Sequence, residues 1–130
     1  MEQNVKHFKK REAILDCVKS TKVHPSADWV FAKLKPDISD LSLGTVYRNL
    51  ALFKEQGLIA SLGTVKGIER FDGNTEPHVH FVCEECGCVL DLDGVDVPKS
   101  LAESVASEKG IIVNNCSLTL LGLCSECKLN

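Results

Sequence analysis

Two Cys-x-x-Cys pairs constrain this chain more than any other feature: Cys83-Glu84-Glu85-Cys86 and Cys124-Ser125-Glu126-Cys127. Each pair can place two thiolates on one tetrahedral ion, and two pairs complete a closed four-cysteine site, the usual form of structural zinc. A single pair also suits a redox motif. Two at compatible spacing make one structural zinc per chain the leading reading, with disulfides or unrelated thiols as the alternative. Such a site ties the end of the chain to the segment around residue 83.

Length sharpens the point. The 130 residues suffice for one ordinary domain or two small ones. A unit of about 60 residues buries little apolar surface, so a zinc staple matters to a C-terminal half of that size. No apolar run approaches the roughly 18 residues of a membrane span, and the opening Met1-Glu2-Gln3-Asn4-Val5-Lys6 has no signal-peptide core. Seven cysteines without a secretion signal point to the reducing cytoplasm and to metal chemistry. The net charge of −3 hides an asymmetry. Residues 1–65 carry ten Lys or Arg against seven Asp or Glu, giving +3; residues 66–130 carry five against eleven, giving −6. A basic half suited to DNA and an acidic half suited to cations follow.

Apolar spacing predicts a first helix over Val5–Lys19, with Phe8, Ile14, Leu15 and Val18 on one face. His24-Pro25-Ser26-Ala27-Asp28 reads as a turn opening a second helix, whose apolar side is Trp29, Val30 and Leu34 and which ends before Pro36. Ser42 caps a third helix that stops at Gly57, with Val46, Leu50 and Phe53 as its core stripe. Leu58–Ala60 and Gly67–Phe71, flanking a loop that contains Gly63 and Lys66, read as a β-hairpin. Three helices and a hairpin make a winged helix-turn-helix. Strands over 79–83 and 88–92, a helix over 98–109 and a strand over 111–123 complete an α+β chain. The stretch Asp72–Pro77 is the expected hinge. The expected division is a DNA-binding domain over 1–73 and a small α/β metal-binding dimerisation domain over 74–130.

The third helix offers Ser42, Gly44, Thr45, Tyr47 and Arg48 near its start, turned away from the core stripe. In a helix-turn-helix these positions enter the major groove. Arg48 is suited to donate two hydrogen bonds to guanine, and Tyr47 to meet a thymine methyl or a phosphate. Gly44 allows close backbone approach, and the helix N-terminus favours a phosphate. Read blandly, the same residues are a surface Arg and a half-buried Tyr.

Glu76-Pro77-His78-Val79-His80 supplies ligands of another kind. Two His separated by one residue share a face if the segment is extended. Asp72, Glu76, Asp91 and Asp93 are the nearby carboxylates, and nitrogen with carboxylate oxygen suits ferrous iron, manganese or zinc. Spacing alone does not join His24 to them. Cys88 competes with Cys86 as a zinc ligand, and the paired spacing favours Cys86; Cys17, off the apolar stripe of its helix, reads as a plain small residue and Cys116 as a packing residue.

Ser42-Leu43-Gly44-Thr45-Val46-Tyr47-Arg48-Asn49-Leu50 resembles the recognition helix of the ferric-uptake-regulator family. So do the run from His78 to Gly87 and the ending Leu121-Gly122-Leu123-Cys124-Ser125-Glu126-Cys127. The resemblance implies a homodimeric, metal-dependent repressor that binds an inverted-repeat DNA operator and is not an enzyme. Within that family the chain is similar to the peroxide-stress branch. That similarity implies a regulatory site for one ferrous or manganous ion on His24, Asp72, His78, His80 and Asp91, with His24 and His78 the residues oxidised by peroxide. It also implies structural zinc on Cys83, Cys86, Cys124 and Cys127. Lys9, Lys10 and Arg11 stand where relatives contact DNA with a longer N-terminal stretch, and Cys116 stands where iron-uptake relatives carry a His ligand. The runner-up is a regulator of iron, manganese or zinc uptake responding to metal occupancy alone. A small metal-dependent hydrolase built on His78 and His80 is the rival of another class, but no His-Glu-x-x-His motif accompanies it.

Overall fold

Two serines start the helices that matter most. In the computed structural model, which describes residues 2–76 and 78–129 with side chains from residue 8 onward, Ser26 Oγ accepts the backbone N–H of Trp29 and Ser42 Oγ that of Thr45, each at 3.1 Å. Each side chain thereby satisfies one of the N–H groups that a helix start leaves unpaired. The elements run α1 (Glu2–Ser20), α2 (Ala27–Leu34), α3 (Leu43–Glu55), β1 (Ala60–Val65), β2 (Ile68–Asp72), β3 (Val79–Cys83), β4 (Val89–Asp91), α4 (Lys99–Lys109) and β5 (Leu118–Gly122). A 3₁₀ turn follows over Cys127–Leu129. No helix among the described residues is long and apolar enough to cross a membrane. The chain divides into two compact units, Met1–Thr75 and Glu76–Asn130. Pro77, the last residue of the expected hinge, lies outside the described residues.

In the first unit, Ile14 and Val18 of α1, Val30 of α2, and Val46, Leu50 and Phe53 of α3 close on one another with at most 1% of their surface exposed. Leu41 and Ile59, in the connections flanking α3, complete this core. Truncating a residue so enclosed costs about 2–5 kcal/mol. α3 ends as its sequence dictates: Leu58 N–H returns to the Phe53 carbonyl and Gly57 N–H to that of Lys54. Phe8 departs from expectation and is 62% exposed. At 100° per residue it stands about 120° around the helix from Ile14 and about 80° from Val18, off the buried face.

The hairpin is longer than its apolar residues suggested. β1 and β2 pair antiparallel from Ala60↔Asp72 to Val65↔Ile68. The turn is the two residues Lys66 and Gly67, both at positive φ (53° and 80°), the geometry whose twist matches paired strands. Gly63 belongs to β1, at a bulge between Ser61 and Thr64, and not to the loop.

In the second unit β3 is central, with β4 antiparallel on one side and β5 parallel on the other. The strand expected over 111–123 is shorter, Leu118–Gly122. Its parallel register begins at Val79↔Leu118, the first residue of β3, so the preceding residues have no stretch of that strand to pair with. Val79, Cys83 and Val89 are buried, while Leu90, Ile111, Ile112, Leu120 and Leu121 are exposed.

Candidate metal centres and nucleic-acid interface

The β3–β5 register assembles the cysteines. Cys83 ends β3 opposite Gly122, so the chain leaving β5 delivers Cys124 beside it. The backbone N–H groups of Cys86 and Cys124 point at Cys83 Sγ, at 3.4 and 3.5 Å. Those donors stabilise a thiolate and bring the Cys83 thiol down to about 6. Cys124 is lowered in the same way, chiefly by the N–H of Cys127. Cys127 is raised, chiefly by its contacts with the Cys124 and then the Cys83 thiol. The sulfurs of Cys83, Cys86, Cys124 and Cys127 all lie within 4.8 Å of one another, and Cys86 Sγ is 3.8 Å from Cys124 Sγ. Tetrahedral zinc with bonds of about 2.3 Å sets its sulfurs about 3.8 Å apart, so the cluster fits a structural zinc site. Cys88 is outside this group; burial, then its contacts with Cys86 and Cys124, pushes its thiol up to about 12.

The nitrogen and oxygen ligands occur in two sets, one per unit. In the first unit His24 and Asp72 are buried, with His24 Nε2 3.6 Å from Asp72 Oδ2. His24 sits at φ +57°, a left-handed conformation that costs a non-glycine residue on the order of 1–3 kcal/mol and clusters at functional sites. Asp72 is steadied by the Asn74 N–H on Oδ1 at 2.9 Å. Its neighbour Gly73 passes so near the end of α1 that a Cβ there would meet Lys19 Cα at 2.6 Å.

In the second unit His78, just ahead of β3, and His80 within it converge on one carboxylate. Their Nε2 atoms lie 3.1 and 3.2 Å from Asp91 Oδ1, and their rings are 4.1 Å apart. The antiparallel pair His80↔Asp91 makes this possible, since directly opposed residues share a face. Adjacent ligands about 2.1 Å from one ion are about 3 Å apart, and this set of two imidazoles and a carboxylate is suited to such an ion. Among the other carboxylates named from sequence, Asp93 is exposed.

On α3, Tyr47 and Arg48 are exposed, Tyr47 by 51%. Arg48 folds back along the helix, donating from Nη2 to Thr45 Oγ1 at 3.1 Å, and Thr45 Oγ1 is 2.8 Å from Ser42 Oγ. A Cβ at Gly44 would stand 3.2 Å from Arg48 Nη1, so the missing side chain gives the guanidinium its place. Of the three α1 residues expected from sequence to contact DNA, Lys9 is exposed, whereas Lys10 pairs with Asp40 at 3.1 Å. Arg11 donates to Gln56 Oε1 at 3.2 Å and stacks over Phe53.

Sequence reasoning passed over Arg70. Its Nε donates to the His24 carbonyl and its Nη2 to the Val23 carbonyl at 2.7 Å. The available signal was its place two residues before Asp72, on the same face of an extended segment.

Comparison with known proteins places these features in context. Residues 2–121 match the ferric uptake regulator family. The peroxide operon regulator of Bacillus subtilis is 35% identical over 97% of this chain and 86% of its own length. The peroxide-responsive repressor PerR of Staphylococcus epidermidis is 34% identical over 91% of this chain and 78% of its own. Among solved structures, the Campylobacter jejuni peroxide stress regulator superimposes with a TM-score of 0.81 at 28% identity, covering 97% of this chain and 94% of that one. The hydrolase alternative falls with this match. The chain belongs to the ferric uptake regulator family, whose members are metal-responsive transcription regulators and not enzymes.

Proposed function

We propose that the chain is a dimeric repressor that senses peroxide through oxidation of its own histidine ligands. The observation that carries the reading is the convergence of His78 and His80 on Asp91. With the His24–Asp72 pair it makes three imidazoles and two aspartates, a set that would hold one ferrous or manganous ion. The similarity to regulators named for peroxide supports the same branch.

A ferrous ion held by these residues would supply the reducing electron for peroxide, chemistry that manganese would supply poorly. The chain's part is to present imidazole rings to that oxidant. We propose that His24 and His78 each take one oxygen atom from peroxide, whose other oxygen leaves as water, become poorer donors, and thereby lose the ion. One ligand pair belongs to the winged-helix unit and three ligands to the second, so ligation would join the two units and set the spacing of recognition helices in a dimer. By linkage, operator DNA tightens metal binding by the factor with which metal tightens DNA. The exposed Leu90, Ile111, Ile112, Leu120 and Leu121 support self-association through the second unit. Structural zinc on Cys83, Cys86, Cys124 and Cys127 would hold that unit together.

For DNA, Arg48 would exchange its bond to Thr45 for a guanine, with Tyr47 beside it and Ser42, Gly44 and Thr45 around a phosphate at the helix start. Lys9, Lys10 and Arg11 would add phosphate contacts, and a two-fold dimer would read an inverted repeat in the cytoplasm. The test is to load the protein with iron or with manganese, add peroxide, and follow both DNA release and oxygen added to peptides by mass. Added oxygen on His24 and His78 with DNA release from the iron form alone is the expected result. Oxidation confined to the cysteines with DNA still released refutes the histidine mechanism. An iron form indifferent to peroxide makes the chain a metal-uptake regulator.

A further inference from the structure

Arg70 is neither a proposed ligand nor part of the recognition helix, yet its guanidinium spans two consecutive carbonyls, those of Val23 and His24. Those carbonyls bracket the residue held at φ +57°. The next residue of the strand, Phe71, donates its N–H to the Pro25 carbonyl at 2.9 Å. The one after it, Asp72, sets its carboxylate 3.6 Å from the His24 imidazole. Three consecutive residues of β2 therefore grip the backbone on both sides of His24 and address its side chain. Arg70 and Asp72 share a face because a strand alternates. Rotation of His24 out of the left-handed region would swing its ring from Asp72 and turn its neighbouring carbonyls out of the guanidinium fork.

We infer that Arg70 is a positioning residue for the regulatory metal, holding His24 in the conformation that sets its imidazole beside Asp72, so that this pair of ligands is formed before an ion arrives. The inference rests on reading His24 and Asp72 as ligands. Two adjacent carbonyls call for a planar, forked donor, which Arg offers and Lys does not. The contact also links function to fold: Glu69, one residue earlier, binds Ser61 of β1 at 2.6 Å and Lys54 of α3 at 3.2 Å. One short strand thus ties the His24 loop to the hairpin and to the recognition helix.

The test is a double-mutant cycle on the full-length, zinc-loaded protein, with Mn²⁺ titrated and the free ion followed by its electron paramagnetic resonance signal. Arg70→Met is expected to weaken Mn²⁺ binding by about 10–100-fold, the usual effect of losing a residue that orients a ligand, with zinc content unchanged. Arg70→Lys should recover only part of that. In a His24→Ala background Arg70→Met should add nothing further, because its effect runs through His24. Equal losses in both backgrounds make Arg70 a general structural residue and overturn the inference, as does an unchanged affinity in Arg70→Met. Unchanged affinity in His24→Ala overturns the ligand reading, and the role of Arg70 with it. Should Arg70→Met lose its native circular dichroism, Arg70→Lys carries the same cycle.

Discussion

Cys83 stands opposite Gly122 in the parallel pairing of β3 with β5. Because of that register, Cys124 arrives with its N–H on Cys83 Sγ, and two cysteine pairs 38 residues apart at their nearer ends become one cluster. The four-cysteine cluster and the strand order are therefore a single feature of the second unit.

Cys83→Ser is expected to lose zinc and to unfold or dissociate the second unit. Structural zinc contributes about 10–16 kcal/mol apparent in small peptides, comparable with the whole stability of a domain. Zinc content by mass spectrometry and size by light scattering check this. A variant that keeps both its zinc and the parent's size refutes the assignment.

Arg48→Ala should cost about 1–3 kcal/mol at the preferred operator and relax base preference. Lys9→Ala should weaken all sequences evenly and flatten the salt dependence. Lys10→Ala should in addition lower thermal stability slightly, because Lys10 already pairs with Asp40. Binding isotherms at several salt concentrations separate these effects. Equal affinity of Arg48→Ala and parent for operator and for random DNA would move the recognition surface elsewhere.

Asp91→Asn should weaken Mn²⁺ binding by about 100-fold or more, since one carboxylate faces both His78 and His80. Zinc content should not change, because the four clustered cysteines form a ligand group of their own. A calorimetric titration that finds the parent's affinity removes Asp91 from the ligand set.

Glu69 should make stability slightly pH-dependent. The Ser61 hydroxyl, then Lys54, holds its carboxyl below the ordinary 4.5. A lowered folded value means that the contribution is fully present above 4.5 and is lost as pH falls through the folded value. The side chain is 39% exposed, so solvent screening limits the effect to about 0.5 kcal/mol. Glu69→Gln should therefore be less stable than the parent at neutral pH and equal to it in strong acid, as measured by denaturant titration.

Gly73→Ala should disturb the His24–Asp72 pair without touching a ligand. A methyl 2.6 Å from Lys19 Cα and 2.8 Å from the Val18 carbonyl must push β2 or α1 aside. Lower melting temperature together with weaker Mn²⁺ binding is the expected outcome, and an unperturbed affinity would show that the strand end has room to give.

Much of this protein was determined by its sequence alone. Val46, Leu50 and Phe53 lie within one helix that Ser42 caps and Gly57 follows, and contacts between near neighbours in sequence write themselves as spacing. The two cysteine pairs likewise carry their geometry in their spacing. Tertiary structure decided what depends on distant segments. The shortening of β5 follows from where β3 begins, and the exposure of Phe8 from which face of α1 meets α2 and α3. Above all, His24 meets Asp72 only because β2 lies against the loop before α2, with Arg70 clasping two carbonyls 46 and 47 residues away. Spacing encodes no such contact, and only the family resemblance grouped His24 with Asp72, because the contact is fixed by packing of whole elements and not by the order of residues within one.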